Sequence, residues 1–251
     1  MLEPVLRAAG IGKSFGGLAA VESVDLDLFP SQIHAVIGPN GAGKSTFLAT
    51  LAGDLAPSSG RVFFQGRDIT DASVQARTRL GIGRTYQRSA VIPNFIALDM
   101  VRLAALQASR SIFKLLKPAA ALADTTRRAR EALARVDLCH REDVETNILS
   151  HGEKRRLEIA AVLALDPRVL LLDEPLAGLG PEECNDMVKL LGDLRKTCAI
   201  AVIEHDIDFV FSMADRITVF DNGRVIASGD PTSVRGSAAV QQAYLGGEGE
   251  A

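Results

Sequence analysis

Gly38-Pro39-Asn40-Gly41-Ala42-Gly43-Lys44-Ser45-Thr46 carries the residue types needed to wrap a phosphate chain. Its GxxxxGK[ST] spacing lies between an apolar run, Ile33–Ile37, and a helix-like stretch, Thr46–Ala52, and that strand–loop–helix context gives the pattern its meaning. Glycines at 38, 41 and 43 let backbone N–H groups turn inward around phosphate oxygens, and the start of a helix adds partial positive charge. Lys44 is placed to reach the β- and γ-phosphates of a nucleotide, and Ser45 to ligate Mg²⁺. Downstream, Val169–Leu172 runs into Asp173-Glu174, which sets two carboxylates at the end of a strand apolar on both faces. Ligands collect at that end of a parallel sheet. Asp173 is the candidate Mg²⁺ holder, mostly through water, and Glu174 the candidate general base. Alone, an Asp-Glu-Pro after a strand also suits a solvated turn; beside a phosphate loop it reads as the metal and base pair. A third segment, Ser150-His151-Gly152-Glu153, has the form of a helix N-terminal capping box, with Ser150 as cap and Glu153 reaching back.

The elements that must position these groups are partly legible. Val24–Leu28 alternates as a half-buried strand, and Arg61–Phe64 followed by Gln65-Gly66 suggests another strand and a turn. Gly53 is suited to end the helix begun at Thr46. From about Ser73 to Leu165, alanine, leucine and arginine dominate and strand signals nearly vanish, which predicts an inserted helical lobe. Pro118 interrupts it, and 119–136 has helical spacing. Parallel-strand signals return at Val169–Leu172 and Ala199–Ile203. Ile217–Phe220 and Arg224–Ala227, joined by Asp221-Asn222-Gly223, predict a hairpin. The last residues, 246–251, are small and polar and are expected to fray.

The chain has 251 residues, 47% of them hydrophobic, enough for one large domain or a domain with a sizeable insertion. A net charge of −3 argues against a general nucleic-acid binder. The basic clusters at 127–130 and 154–156 read as solvated helix faces. Cys139, Cys184 and Cys198 are odd in number and lack CxxC spacing, so they read as free thiols in a reducing compartment. The start of the chain shows no secretory pattern and no apolar run reaches the ~18 residues of a membrane span. A cytoplasmic protein is expected, and any transport role would come through separate membrane subunits.

The order and spacing of the three segments resemble the ATP-binding cassette (ABC) ATPases along nearly the whole chain. Leu149-Ser150-His151-Gly152-Glu153, about twenty residues before a strand ending Asp-Glu, resembles that family's signature motif; the commonest form has glycine where this chain has His151. The resemblance implies an α/β P-loop NTPase with a mixed β core, an antiparallel β subdomain and an inserted α-helical subdomain, the core at about 1–87 and 165–251 and the insertion at about 88–164. It implies ATP and Mg²⁺ as ligands and a head-to-tail dimer in which Ser150 and Gly152 of one copy contact the γ-phosphate held by the other. Arg84-Thr85-Tyr86-Gln87 resembles the Q-loop, which assigns Gln87 to Mg²⁺ and the attacking water. His205, after Ala199–Ile203 and Glu204, matches the switch histidine on the γ-phosphate. Phe15 matches the aromatic that stacks on adenine. Leu176-Ala177-Gly178-Leu179-Gly180 occupies the D-loop position without its usual aspartate.

Within the family, Phe15–Val21, Gly81–Gln87, Arg155–Ala160, Ala177–Glu183, Ala243-Tyr244-Leu245-Gly246 and the extended insertion around Gln107–Thr126 resemble ATPase subunits of branched-chain (hydrophobic) amino acid importers, specifically the longer of two. That resemblance implies a second cassette, two permeases and, indirectly, a substrate-binding protein as partners. It also implies a peripheral position on the inner face of the plasma membrane, with about Ser89–Leu103 as the permease-docking surface. Urea, amide or aromatic-acid importers of the same subfamily remain alternatives, as do a lipopolysaccharide-type exporter and a soluble non-transport ABC ATPase.

Overall fold

Three five-residue strands, β3 (Ile33–Ile37), β7 (Val169–Asp173) and β8 (Ala199–Ile203), are buried along their whole length. In the computed structural model, which describes residues 3–86, 91–108 and 118–245 (backbone alone at 107–108, 118–122 and 244–245), they form the centre of a six-stranded sheet. With β6 (Ile82–Arg84), β9 (Arg216–Asp221) and β10 (Arg224–Gly229), the order is β10-β9-β3-β8-β7-β6. All neighbours are parallel except the β9–β10 hairpin, so the sheet is mixed. Asn222 and Gly223 turn that hairpin with positive φ at both positions, as the sequence predicted.

Because successive side chains on a strand face opposite ways, the central sheet feeds two cores. Ile33, Ala35, Ile37, Leu170, Leu172, Ile200 and Val202 point into one, shared with helices α3 (Ala97–Ala108), α4 (Pro118–Arg135), α5 (His151–Leu163) and α6 (Pro181–Leu194). Val36, Val169, Leu171, Ala201 and Ile203 point into the other, shared with α1 (Lys44–Ala52) and the antiparallel sheet. That second sheet, in the order β2-β1-β4-β5, comprises β1 (Leu6–Phe15), β2 (Leu18–Leu28), β4 (Ser59–Phe64) and β5 (Arg67–Asp68). Each large aliphatic side chain so enclosed contributes roughly 1.5–3 kcal/mol.

Two elements differ from the sequence expectation. The strand read at Val24–Leu28 is the end of an eleven-residue strand paired with a ten-residue β1. The stretch read as helical from Ser73 begins with a core helix, α2 (Val74–Leu80), and then contains β6, which pairs with β7. Ile82-Gly83-Arg84 is too short to show a period, and pairing with an already buried strand decides its conformation. Pro118 opens α4, where its missing N–H costs nothing.

Arg77 fixes α2 to the end of α1. It is 1% exposed, and its guanidinium donates to the carbonyls of Thr50, Leu51, Thr70 and Ala72 at 2.7–3.1 Å. Thr50 and Leu51 lie in the last turn of α1, where helix carbonyls lack intrahelical partners and a cation is favoured. Among the described residues, the further α-helices are α7 (Ile207–Met213), α8 (Pro231–Arg235) and α9 (Ala238–Leu245).

Candidate active site

The site forms at the carboxyl ends of β3, β8 and β7. Strand parity aims its groups: Asp173 follows Val169 and Leu171 on the α1 side of the sheet, so its carboxylate meets the start of α1. The Ser45 hydroxyl donates to Asp173 Oδ1 at 3.3 Å. A cavity of about 280 Å³ is lined by Ala20, the loop residues Asn40, Gly41, Ala42, Gly43, Lys44, Ser45 and Thr46, and Glu174. The Lys44 ammonium donates to the carbonyls of Gly38 and Pro39 at 2.6 and 2.8 Å. Burial lowers its pKa, while Glu174 and Asp173 pull it back up.

The loop has almost no steric slack. Gly43 has φ +99°, and a Cβ there would lie 2.2 Å from the Ala20 carbonyl oxygen. The Gly223 N–H of the hairpin turn donates to the Ala42 carbonyl at 3.0 Å, and the Glu22 N–H donates to the Gly223 carbonyl at 2.7 Å. The phosphate loop is therefore braced by β2 and by the β9–β10 turn, two segments remote in sequence. The turn at Gly223 was legible in sequence, but nothing local tied it or Ala20 to the phosphate loop.

Asp173 is 4% exposed. Burial pushes its carboxyl pKa up, opposed by Arg84 and the Ser45 hydroxyl and reinforced by Glu174. Arg84 reaches Asp173 Oδ2 at 3.3 Å and Asp54 Oδ2 at 2.5 Å, and it lies over the Tyr86 ring. The sequence reading gave Arg84 no role, because its place beside Asp173 depends on the unrecognised pairing of β6 with β7. A buried carboxylate beside a hydroxyl at the phosphate cradle is the hard-oxygen donor set that suits Mg²⁺. Among the described residues, no group of three or more His, Cys, Asp or Glu is placed to hold a metal.

Glu174 has left β7 and taken φ +51°, a left-handed conformation uncommon for a side-chain-bearing residue. Its N–H donates to the Ile203 carbonyl at 3.0 Å. On the neighbouring strand end, Glu204 is fully buried and His205 is exposed, with Nδ1 3.9 Å from Glu204 Oε2. Burial pushes the Glu204 carboxyl up to about 7; the N–H groups of Leu176 and His205 oppose this, and Glu174 and Asp206 add to it. Gln87 lies outside the described residues. Phe15 lies at the end of β1, half exposed, with the Lys13 ammonium 5.1 Å from its ring centre.

The capping box is present as read. The Ser150 hydroxyl accepts from the Glu153 N–H at 3.1 Å, and the Glu153 carboxylate accepts from the Ser150 N–H at 2.8 Å. Ser150 and Gly152 are not among the residues lining the cavity of their own chain. A Cβ on Gly152 would come within 2.6 Å of Glu183 Oε1, the movable end of the side chain that caps α6. His151 Nε2 lies 3.1 Å from the Ala177 carbonyl and bonds the signature turn to the segment after Glu174.

A phosphate loop on β3 and α1, a carboxylate pair ending β7 and a capped signature helix, carried on a mixed sheet flanked by an antiparallel one, define an ATP-hydrolysing cassette. The chain belongs to the ABC transporter family, which it matches over residues 21–177. Residues 224–250 match a second family, described as branched-chain amino acid ATP-binding cassette transporter. It is 35% identical to the high-affinity branched-chain amino acid transport ATP-binding protein LivG of Escherichia coli K12 over 98% of this chain and 99% of the relative. It is 34% identical to BraF of Pseudomonas aeruginosa, of the same description, with the same coverage. A crystal structure of a nucleotide-free ATP-binding cassette from an ABC transporter superposes with a TM-score of 0.86, at 28% identity, over 96% of this chain and 98% of the other.

Proposed function

We propose that the chain is the ATPase subunit that powers uptake of branched-chain or other hydrophobic amino acids, working beneath two permeases and beside a second cassette. The observation that carries this reading is the joining of a braced phosphate cradle to Glu174 in one cavity, in a chain that matches branched-chain amino acid transport ATPases from end to end. Residues Gly38–Thr46 wrap the triphosphate, Lys44 leaves its loop carbonyls for the β- and γ-phosphates, and Phe15 stacks on adenine. Ser45 and Asp173, with Gln87, would hold Mg²⁺, which when bound would neutralise charge on the phosphates. Glu174 takes the proton of the attacking water, and His205 faces the γ-phosphate.

Ser150 and Gly152 cap the ATP of a partner cassette. Their exclusion from their own chain's cavity and their place at a helix N-terminus, where anions are favoured, support a head-to-tail dimer. Helices α3–α5 belong to the inserted lobe of residues 88–164. Exposed Ile92, Phe95 and Leu103 support 89–103 as the permease-docking face, although Ser89 and Ala90 lie outside the described residues. No described helix is long and apolar enough to cross a membrane; the position proposed for the chain is peripheral, at the inner membrane face.

The test is Glu174→Gln. It is expected to bind ATP with near-normal affinity, to lose hydrolysis by about a hundredfold or more, and to accumulate an ATP-dependent dimer on size-exclusion chromatography. Normal turnover would remove Glu174 as the base. Co-purification of the tagged chain with two permeases and a shorter cassette would support the importer; envelope-lipid machinery as the partner would point to an exporter.

A further inference from the structure

A carboxyl group with no solvent exposure must find its partners within the fold. Glu204 is 0% exposed and uses both oxygens on main-chain donors: Oε1 accepts from the Leu176 N–H at 2.7 Å and Oε2 from the His205 N–H at 3.3 Å. One side chain thus spans from the end of β8 to the segment after β7. The segment Glu174-Pro175-Leu176 has two main-chain donors, because proline has none. Both are spent on β8: Glu174 N–H on the Ile203 carbonyl at 3.0 Å, and Leu176 N–H on Glu204. Between these two bonds Glu174 is held at φ +51°, while lining the phosphate cavity. A left-handed conformation at a non-glycine residue persists where its surroundings over-determine it.

We propose that Glu204 is a positioning residue for ATP hydrolysis: its buried carboxyl clamps the turn after β7 so that Glu174 is presented to the phosphate cavity, and the same group fixes the main chain at His205. Glu204 is not among the residues that line the phosphate cavity; it acts through Glu174 and His205. The inference rests on the reading of Glu174 as the base.

The experiment compares steady-state ATPase kinetics and fluorescent-ATP binding for wild type, Glu204→Ala, Glu204→Gln and Glu174→Gln. Losing the clamp bond to Leu176 is expected to lower kcat by about tenfold or more in Glu204→Ala, with KM and nucleotide affinity within about twofold of wild type. Glu204→Gln keeps an amide oxygen for the Leu176 N–H and is expected to recover most of that loss; it also serves as the variant to read should the alanine form fail to fold. A Glu204→Ala protein with wild-type kcat overturns the proposal. So does a Glu204→Gln protein as impaired as Glu204→Ala, or a loss confined to nucleotide affinity. If Glu174→Gln itself turns over normally, the reading of the base has failed instead, a result separable from any behaviour of the Glu204 variants.

Discussion

Replacing Arg77 with alanine is expected to destabilise the cassette severely without touching its site. The guanidinium is 1% exposed and serves four carbonyls at 2.7–3.1 Å. Each buried acceptor left without a donor costs about 1–3 kcal/mol, which bounds the loss at about 4–12 kcal/mol. The lower end applies, because removing so large a side chain opens a polar space where water can re-satisfy some carbonyls. About 4 kcal/mol is then a large part of the 5–15 kcal/mol that holds a typical domain together, and for a chain of this size it lowers Tm by roughly 8–16 °C. Arg77→Lys is expected to lose about half as much, since a compact ammonium with three donors cannot address four divergent carbonyls. Urea unfolding followed by circular dichroism, with the m-value checked for constancy, measures the change. A loss below about 1 kcal/mol for Arg77→Ala would mean that the Arg77 bonds merely replace equivalent bonds to water, and the account of α2 docking onto α1 would be wrong.

Gly43→Ala is expected to weaken ATP binding by about tenfold or more, because left-handed backbone costs roughly 1–2 kcal/mol for alanine and the new Cβ meets the Ala20 carbonyl oxygen at 2.2 Å; titration with a fluorescent ATP analogue reads this directly, and unchanged affinity would refute the tight bracing of the loop. Glu204 predicts a pH dependence of stability. Its folded pKa of about 7 exceeds the ordinary 4.5, so between those values the folded protein holds a proton that the unfolded chain has lost. Its contribution is therefore full below about pH 4.5, falls by up to about 3 kcal/mol as pH rises to about 7, and is level above that. The stability difference between wild type and Glu204→Gln, measured by urea unfolding at pH 5 and pH 7.5, should shift toward the variant at the higher pH; a constant difference would contradict the raised pKa.

What the sequence determined by itself was whatever depends on neighbours along the chain. The phosphate loop, the capping box at Ser150, the Asn222-Gly223 turn and the apolar runs of β3, β7 and β8 are set by backbone freedom, local hydrogen bonding and burial on both faces, all of which leave marks in short windows. The tertiary structure alone decided which remote groups meet. Gly223 and Ala20 brace the loop through main-chain contacts that impose no side-chain type at a distance. Arg84 stands beside Asp173 because β6, three residues long and without a readable period, pairs with β7. Glu204 reads in sequence as one more polar residue after a strand; its burial, and its hold on the turn that carries Glu174, exist because β8 lies next to β7 in the sheet, although Glu204 and Leu176 are 28 positions apart in the chain. Such pairings cost chain entropy that only the assembled core repays, so no local window of residues can announce them.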